Sequence, residues 1–399
     1  MPAKPTKSTT QANGSQALKS GWRRVRLGDV VECVNEVECD PQAAGIERIV
    51  GLEHLDPGSL HITRWAPIED GTSFTHRFRP GQVLFGKRRA YQRKLAVAEF
   101  DGICSGDILV FQPKGDDLVP ELLPFIIQTE AFWSHALDTS AGSLSPRTKW
   151  QDLARYEFAL PPKDEQRRIA DILWAADNYI EHLEQVTASA EDVIQAFTND
   201  FLASGDFPSK PCVELLVEKP KNGFSPPTSS RGLPTLIISA IRDGQVRCEG
   251  NLKYADVTTS EIQPFILRKN DVFVVRGNGN RNLVGRAGIV ATAPENCFYP
   301  DLLIRLRFKE SLMRQQFACI QWNTDSVHGQ LLKRAKSTNG IWKVNGKDVS
   351  QHVLRVPPLN AQDRFLARMA DFEKGRDTAS AALASAQFVK RSLMEELLG

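Results

Sequence analysis

One segment of this chain, centred on a pair of prolines, occurs twice. Residues 156–173 read YEFALPPKDEQRRIADIL, and residues 352–369 read HVLRVPPLNAQDRFLARM, with Pro161-Pro162 corresponding to Pro357-Pro358. Shorter similarities precede each segment in the same order. FRPGQVLFGK (78–87) resembles LRKNDVFVVR (267–276), and SGDILVF resembles YPDLLIRL. The shared order predicts two copies of one folding unit, which severely restricts the possible architectures.

Each copy has a β-rich first part and a helical second part. Runs such as VLFG, ILVF and DVFVV, separated by Gly, Pro and Asp, are typical of short strands. The apolar pattern predicts one helix in each copy, at residues 121–137 in the first and at residues 311–327 in the second. After each double proline no further proline interrupts residues 163–204 or 359–399, which predicts a helix of roughly 60 Å.

The two long helices carry apolar residues at alternating steps of four and three, a heptad seam. Thr187, Arg376 and Lys390 interrupt these seams and are candidates for fixing register or orientation. A helix this long needs a partner helix, either that of the other copy, packed antiparallel, or that of a second chain in a homodimer. The seam residues are Ile169, Leu173, Ile180, Leu183, Ile194, Phe197, Phe365, Met369, Phe372, Leu383 and Leu393.

The predicted fold class is therefore α+β. It has two tandem mixed, mostly β domains, each followed by a long helix, and the two helices pack antiparallel as a coiled coil. The boundaries we predict are a disordered tail at 1–20, a first domain at 21–160, a first helix at 161–205, a second domain at 206–356 and a second helix at 357–399.

Charge is distributed unevenly although the net charge of the 399 residues is only +2. Residues 206–356 carry 22 Lys and Arg against 13 Asp and Glu, whereas residues 161–205 carry 3 against 9. The basic segment is a candidate for nucleic-acid binding, and the acidic helix is not. The seven cysteines form no C-x-x-C pair, and no apolar stretch is long enough for a membrane span or signal peptide, so a cytoplasmic location is expected.

Motifs for autonomous catalysis and for metal binding are missing from the sequence. GQVLFGKR (81–88) matches a phosphate-binding loop except for its last position, where Arg88 replaces the hydroxyl residue. No G-x-S-x-G elbow, zinc-ligand spacing or N/D-P-P-Y/F tetrapeptide occurs. The sequence therefore predicts a non-catalytic chain that holds no metal or cofactor.

Two polar stretches recur in both copies where loops are expected, and they carry cations, amides and hydroxyls. Cationic side chains contact phosphates, Arg can form bidentate hydrogen bonds with guanine, and Asn can do so with adenine. The alternative is that these are solvated surface loops. The candidate DNA-binding residues of copy one are Lys87, Arg88, Arg89, Tyr91, Arg93, Lys94, Ser143, Ser145, Arg147 and Lys149. Those of copy two are Arg276, Asn278, Asn280, Arg281, Asn282, Arg286, Lys333, Arg334, Lys336, Ser337, Thr338 and Asn339.

The order of these features resembles the specificity subunit of type I restriction-modification systems. The resemblance rests on LPPKDEQRRI (160–169), on PPLNAQDRF (357–365), on the strand-loop stretches and on the opening WRRVRLGDVVE (22–32). Copy two departs from the pattern, with Ala361 in place of Glu and Phe365 in place of Ile.

The resemblance implies a specific role. Each β-rich domain is expected to be a target recognition domain that reads one half of a bipartite, asymmetric site on double-stranded DNA. The helices are expected to set the spacing and to dock two methyltransferase subunits, with restriction subunits joining one copy of this chain per complex. S-adenosylmethionine, ATP and Mg are then expected on the partner subunits. Two alternatives remain, a self-sufficient DNA-modifying enzyme with a diverged motif and a coiled-coil adaptor that binds protein.

Overall fold

The structure is a computed structural model that describes residues 18–399, except for the side chain of Thr338. Most of the predicted tail at 1–20 therefore lies outside the described residues. The chain divides into two compact units. Unit 1 comprises Met1–Glu184 and Ala381–Gly399, and unit 2 comprises Gln185–Ser380. Among the described residues, no helix combines the length and apolar character that crossing a membrane requires.

The described part of unit 1 contains ten strands, four short helices, the first half of one long helix and the last part of a second. The strands are β1 (Arg23–Arg26), β2 (Val31–Val34), β3 (Arg48–Val50), β4 (Ala66–Pro67), β5 (His76–Phe78), β6 (Val83–Gly86), β7 (Leu95–Val97), β8 (Gly102–Cys104), β9 (Ile108–Pro113) and β10 (Glu157–Leu160). The helices are α1 (Leu27–Val30), α2 (Leu123–Gln128), α3 (Glu130–Asp138), α4 (Trp150–Leu153) and α5 (Lys163–Ser204). The strands form sheets in the orders β2-β9-β6-β7, β4-β3-β8-β5 and β1-β10.

The sheet around β6 lies at the centre of unit 1 and is covered on both faces. Phe85 and Phe111 pack with Phe132 of α3 and Ile169 of α5 on one face. Leu84, on the opposite face, packs in a separate cluster with residues of the second sheet. Burial on both faces explains why VLFG is a continuous apolar run rather than an alternating one.

Unit 2 contains thirteen strands, five short helices, the second half of α5 and the first part of a second long helix. The strands are β11 (Ser209–Pro211), β12 (Lys221–Asn222), β13 (Leu233–Leu236), β14 (Ile241–Arg242), β15 (Gln245–Val246), β16 (Leu252–Ala255), β17 (Val272–Val275), β18 (Gly277–Asn278), β19 (Ala287–Ile289), β20 (Leu303–Leu306), β21 (Lys336–Thr338), β22 (Ile341–Lys343) and β23 (Val353–Arg355). The helices are α6 (Cys212–Leu215), α7 (Thr259–Ile262), α8 (Gln315–Asn323), α9 (Asp325–Arg334), α10 (Gly346–Ser350) and α11 (Leu359–Leu398).

The central strands of the two units have the same order and direction. In unit 1, β6 lies antiparallel between β9 and β7, and in unit 2, β17 lies antiparallel between β20 and β19. The first strand of each unit also pairs antiparallel with the last strand before the double proline, β1 with β10 and β11 with β23. The order of elements thus follows the similarities seen in the sequence.

The prediction of one helix at 121–137 and one at 311–327 was wrong, because each region forms two helices. The break falls at Thr129 between α2 and α3 and at Thr324 between α8 and α9. Both threonines have extended backbone, and each hydroxyl donates to a carbonyl three residues earlier, Ile126 or Gln321. A hydroxyl that bonds locally in this way competes with helix continuation.

A buried glutamine fixes the start of each long helix. The Gln166 side chain accepts from the Val119 N–H at 2.8 Å and donates to the carbonyls of Asp117 and Pro161. Gln362 accepts from the Arg314 N–H at 2.8 Å and donates to the carbonyls of Leu312 and Pro357. The repeated glutamine of the double-proline motif therefore joins the helix to a loop of its own unit.

Replacing Gln166 with Leu is expected to lower the free energy of unfolding by about 2 kcal/mol, because the backbone groups of Pro161, Asp117 and Val119 lose a buried or part-buried hydrogen-bond partner. Chemical denaturation followed by circular dichroism measures the change. Replacing the exposed Gln151 with Leu is the control and should shift stability by less than about 0.5 kcal/mol. Equal effects of the two substitutions would contradict this account of the motif.

The predicted seam residues are all buried or half-buried in the two long helices. In unit 1, Ile169 and Leu173 share a cluster with Met394. In unit 2, the rings of Phe197 and Phe365 stack at 5.2 Å. Within each unit, an earlier segment of one long helix therefore contacts a later segment of the other.

Lys390, which interrupts the predicted seam, lies in a buried charged cluster of unit 1. Its ammonium group bonds to Asp177 of α5, and the two side chains are only 8% and 5% exposed. Asp177 also bonds to His61 at 3.1 Å. Burial disfavours the charged carboxylate, but the hydrogen bonds from His61 and Lys390 outweigh it and lower the pKa of Asp177.

The hydrogen bond to Asp177 is the main cause that raises the pKa of His61 to about 9, with Glu99 and Glu181 adding to it and burial opposing it. A raised pKa means that His61 stabilises the folded chain fully below its unfolded pKa of about 6.5, and that this contribution disappears as the pH rises towards 9. We expect unfolding midpoints to fall between pH 6.5 and 9, and the fall to be smaller in His61→Gln. An unchanged pH profile in the variant would contradict the assignment.

Candidate DNA interface

The two polar stretches of copy one lie side by side and form the first loop pair, defined as residues 86–94 and 141–149. Arg88 and Arg147 form an antiparallel bridge. The Thr148 N–H donates to the Lys87 carbonyl at 3.0 Å, and the Arg89 N–H donates to the Pro146 carbonyl at 2.8 Å. The two segments are about 50 residues apart in sequence, so the sequence did not indicate their contact. The arrangement joins the end of β6 to the segment that precedes α4 and β10.

Asp107 lies at the base of the first loop pair, one residue before β9. Its carboxylate accepts from Arg147 Nε at 2.9 Å and from Arg88 Nη1 at 3.3 Å. Arg88 Nε also donates to the Ser145 hydroxyl at 2.6 Å. Burial alone would raise the pKa of Asp107, but the two arginines outweigh it and lower the pKa, so the carboxylate is charged at neutral pH.

The backbone of residues 86–94 is strained at two cations. Arg89 and Arg93 have φ of 55° and 52°, in the left-handed region that costs energy for a side chain with a Cβ. Arg89 Nε is buried without a hydrogen-bond partner among the described residues. Strain and an unsatisfied donor at the same loop are features that cluster at functional sites.

Other predicted residues of copy one have structural partners away from Asp107. Arg93 forms a bidentate ion pair with Glu130, and the Lys94 ammonium group donates to the Leu52 carbonyl. Tyr91 and Arg93 line a cavity of about 670 Å³ that is also lined by Lys390. The structure therefore does not group these side chains with Arg88 and Arg147. Ser143 and Lys149 are exposed within the loop pair.

The second loop pair, residues 276–286 and 333–343, is joined in the corresponding way. β18 pairs with β22 through Gly277 and Lys343, and the Val344 N–H donates to the Arg276 carbonyl at 2.9 Å. β22 continues the pairing with β21 across the turn at Asn339-Gly340, where both residues have positive φ. Turns of this kind match the twist of a hairpin, so the second stretch projects as a short two-stranded ribbon.

Several candidate side chains of copy two bond within the loop pair or to adjacent helices. Arg276 Nη1 donates to the Asp301 carbonyl at 3.2 Å and lies 3.5 Å from the Asp301 carboxylate. Asn278 and Asn280 each accept a backbone N–H two residues later, which shapes the loop. Arg281 lies 4.8 Å above the ring of Trp342.

Arg286 and Arg334 are held by backbone carbonyls, at 2.6 Å from Asn323 and at 3.2 Å from Asp348. These two arginines therefore support the second loop pair from its inner side. The candidate side chains left exposed on this loop pair are Asn280, Arg281, Asn282, Lys333, Lys336, Ser337 and Asn339.

Sequence reasoning missed the two aspartates at the base of the loop pairs. Asp107 and Asp301 both occur in the repeated SGDILVF and YPDLLIRL segments, so a signal was present. It also missed Leu144, which is 92% exposed between Ser143 and Ser145. Among the described residues, no group of His, Cys, Asp and Glu is arranged to hold a metal ion.

Comparison with known proteins identifies the first part of the chain. Residues 19–191 match the family described as type I restriction modification DNA specificity domain. Residues 19–191 are thus similar to a DNA specificity domain of this type. The first loop pair lies wholly inside the matched residues.

Two curated relatives are specificity subunits of the same class. The chain is 27% identical over 188 residues to the type I restriction enzyme EcoKI specificity subunit of Escherichia coli (strain K12), which covers 46% of this chain and 40% of that protein. It is 31% identical over 159 residues to the EcoDI specificity subunit of Escherichia coli, covering 38% of this chain and 32% of that protein. The chain thus spans less than half the length of these relatives.

A solved structure extends the similarity of fold beyond the specificity domain. A chain from a study of complex assembly and conformational transition of a type I R-M system superposes with a TM-score of 0.57 at 20% identity. The match covers 96% of this chain and 99% of that chain. At this identity the comparison shows the fold alone, and it includes the residues that follow the specificity domain.

Proposed function

We propose that this chain is the non-catalytic specificity subunit of a type I restriction-modification complex. The observation that carries the proposal is the specificity domain at residues 19–191. The first loop pair supports it, because a strained, cation-bearing loop held against residues 141–149 is suited to contacting phosphates and base edges.

Copy two acts as a second recognition domain in this proposal. The shared order β20-β17-β19, the buried Gln362 and the second loop pair support this assignment. The net charge of residues 206–356 favours a larger contribution to non-specific DNA affinity.

The two loop pairs differ in sequence, and so each is expected to read a different half of the site. A symmetric homodimer with two identical readers suits a palindrome, whereas two different readers on one chain suit an asymmetric, bipartite site. Exposed arginine and lysine side chains would set the position on the backbone, and Arg147 and the exposed asparagines would read bases.

The long helices α5 and α11 are proposed to pack antiparallel as a coiled coil, to set the distance between the half-sites and to dock two methyltransferase subunits. Contacts such as Phe197 with Phe365, and Ile169 with Met394, support the pairing within each unit. Restriction subunits would complete the assembly around one copy of this chain. S-adenosylmethionine, ATP and Mg would then be held by the partners, in the cytoplasm.

A DNA-binding titration across salt concentrations tests this function. Affinity of a phosphate-contacting protein falls with salt in proportion to the phosphates it neutralises. We expect Lys333→Gln with Lys336→Gln to reduce the slope of log affinity against log salt by about 2. The control is Lys219→Gln with Lys269→Gln, two exposed lysines of the same unit outside the loop pair.

The titration is run on the chain alone and with its methyltransferase subunits. Binding that is insensitive to salt, or equal slopes for the two double variants, would contradict the proposed interface. Methyl transfer to DNA by the chain alone would instead indicate a self-sufficient enzyme.

A further inference from the structure

Both loop pairs have an arginine held by an aspartate at the same edge of the central sheet. In unit 1, Asp107 lies one residue before β9 and bonds to Arg88 and Arg147. In unit 2, Asp301 lies two residues before β20. Its backbone carbonyl accepts from Nη1 of Arg276, which follows β17, at 3.2 Å, and its carboxylate lies 3.5 Å from the same nitrogen. The two aspartates occupy matching positions in the repeated SGDILVF and YPDLLIRL segments.

The geometry leaves part of each arginine available. Arg147 is bound through Nε, its side chain is 51% exposed, and Nη1 and Nη2 have no hydrogen-bond partner among the described residues. Arg276 contacts Asp301 through Nη1 and is 29% exposed. A guanidinium held at one nitrogen keeps a fixed orientation while its other donors face outward, which suits forked contact with a guanine.

The aspartates are themselves fixed. Asp107 is only 21% exposed and bridges both segments of the first loop pair. Asp301 accepts from the Ser225 hydroxyl at 2.6 Å, and its own N–H donates to the same hydroxyl at 3.0 Å. Asp107 is thus held by two arginines in a largely buried position, whereas the Asp301 side chain is 47% exposed and is held by Ser225.

A carboxylate in this place has two opposite effects on DNA binding. It orients the arginine for one base edge, which favours the correct sequence. Its negative charge also lowers the local positive potential and repels phosphate, which weakens binding to any sequence.

We propose that Asp107 and Asp301 are positioning residues that aim the reading arginines and raise the ratio of site-specific to non-specific DNA binding, each for its own half-site. The proposal rests on the proposed function. It adds residues whose role is to increase discrimination while reducing general affinity for DNA.

The test is the specificity ratio of the complete complex, measured by competition between a duplex with the mapped site and duplexes altered in one half. For Asp107→Asn we expect binding to the correct site to weaken about tenfold and discrimination in one half to be lost. Non-specific affinity should stay equal or increase. Asp301→Asn should affect the other half, and more weakly, because the hydrogen bond from Arg276 to the Asp301 backbone carbonyl remains. Asp107→Glu should restore part of the discrimination.

Asp101→Asn is the matched control, because Asp101 also lies between two arginines, Arg77 and Arg79, but outside the loop pairs. It should leave the specificity ratio unchanged. A purely structural role predicts equal loss of specific and non-specific binding with a lower unfolding midpoint, and this result would overturn the proposal. So would unchanged discrimination in Asp107→Asn. If the unsubstituted complex shows no half-site discrimination, the proposed function itself fails before the variants are compared.

Discussion

Replacing Lys390 with Met is expected to lower the free energy of unfolding by about 4 kcal/mol, because breaking a buried ion pair leaves an uncompensated charge. Lys390 and Asp177 are 8% and 5% exposed, so solvent cannot replace the lost partner. His61 remains beside Asp177 at 3.1 Å, which keeps the loss below that of a fully isolated carboxylate. Urea denaturation monitored by circular dichroism measures the change.

The double variant Lys390→Met with Asp177→Asn should recover most of the lost stability, since it removes both charges and retains a polar group for His61. Arg167→Met is the surface control. Arg167 pairs with Asp164, but both side chains are at least 60% exposed, and the expected change is below about 1 kcal/mol. Similar losses for Lys390→Met and Arg167→Met would show that the buried pair does not stabilise unit 1.

Recognition of the DNA site is expected to divide between the two loop pairs. Arg147→Ala should weaken binding about 10- to 100-fold through one half-site, and Arg276→Ala should do so through the other, because a forked contact is worth about 1–3 kcal/mol. Competition with duplexes altered in one half at a time measures the division.

The matched control for these substitutions is Arg155→Ala, since Arg155 is 76% exposed and pairs only with the nearby Asp152 among the described residues. It should change neither half-site. A loss spread evenly over both halves in Arg147→Ala would contradict the assignment of one loop pair to each half.

The sequence was most informative where a pattern is local and repeated. The double proline and the proline-free stretches after it predicted two long helices, and the structure has them as α5 and α11. The repeated glutamine was visible as a match, but its bonds to Val119 and Arg314 were not, because they join residues far apart in the chain.

Local hydrogen bonding overturned the single-helix predictions. Apolar periodicity continues through Thr129 and Thr324, so the sequence pattern predicts a single helix at this place in each copy. The hydroxyls end one helix, and Thr129 also caps the next one. A threonine within an apolar periodic stretch is compatible with both outcomes until its side-chain partner is known.

The candidate site was predicted in composition but not in pairing. Cations and amides marked the loops, whereas the counter-charges lie elsewhere in sequence, at Asp107 and Glu130. Lys390 is recognisable in the sequence as a break in the apolar seam, but apolar periodicity does not indicate its polar partner Asp177. Sequence periodicity does not predict side-chain contacts between residues that only tertiary folding brings together.

Mapping the methylated sites of a host that expresses this chain with the proposed methyltransferase subunits is the decisive experiment for two recognition domains on one chain. We expect two different half-sequences separated by a constant gap. Inserting seven residues into each long helix should lengthen that gap by about three base pairs, since seven helical residues add roughly 10 Å. A palindromic or continuous site, or a gap that the insertion leaves unchanged, would contradict this expectation.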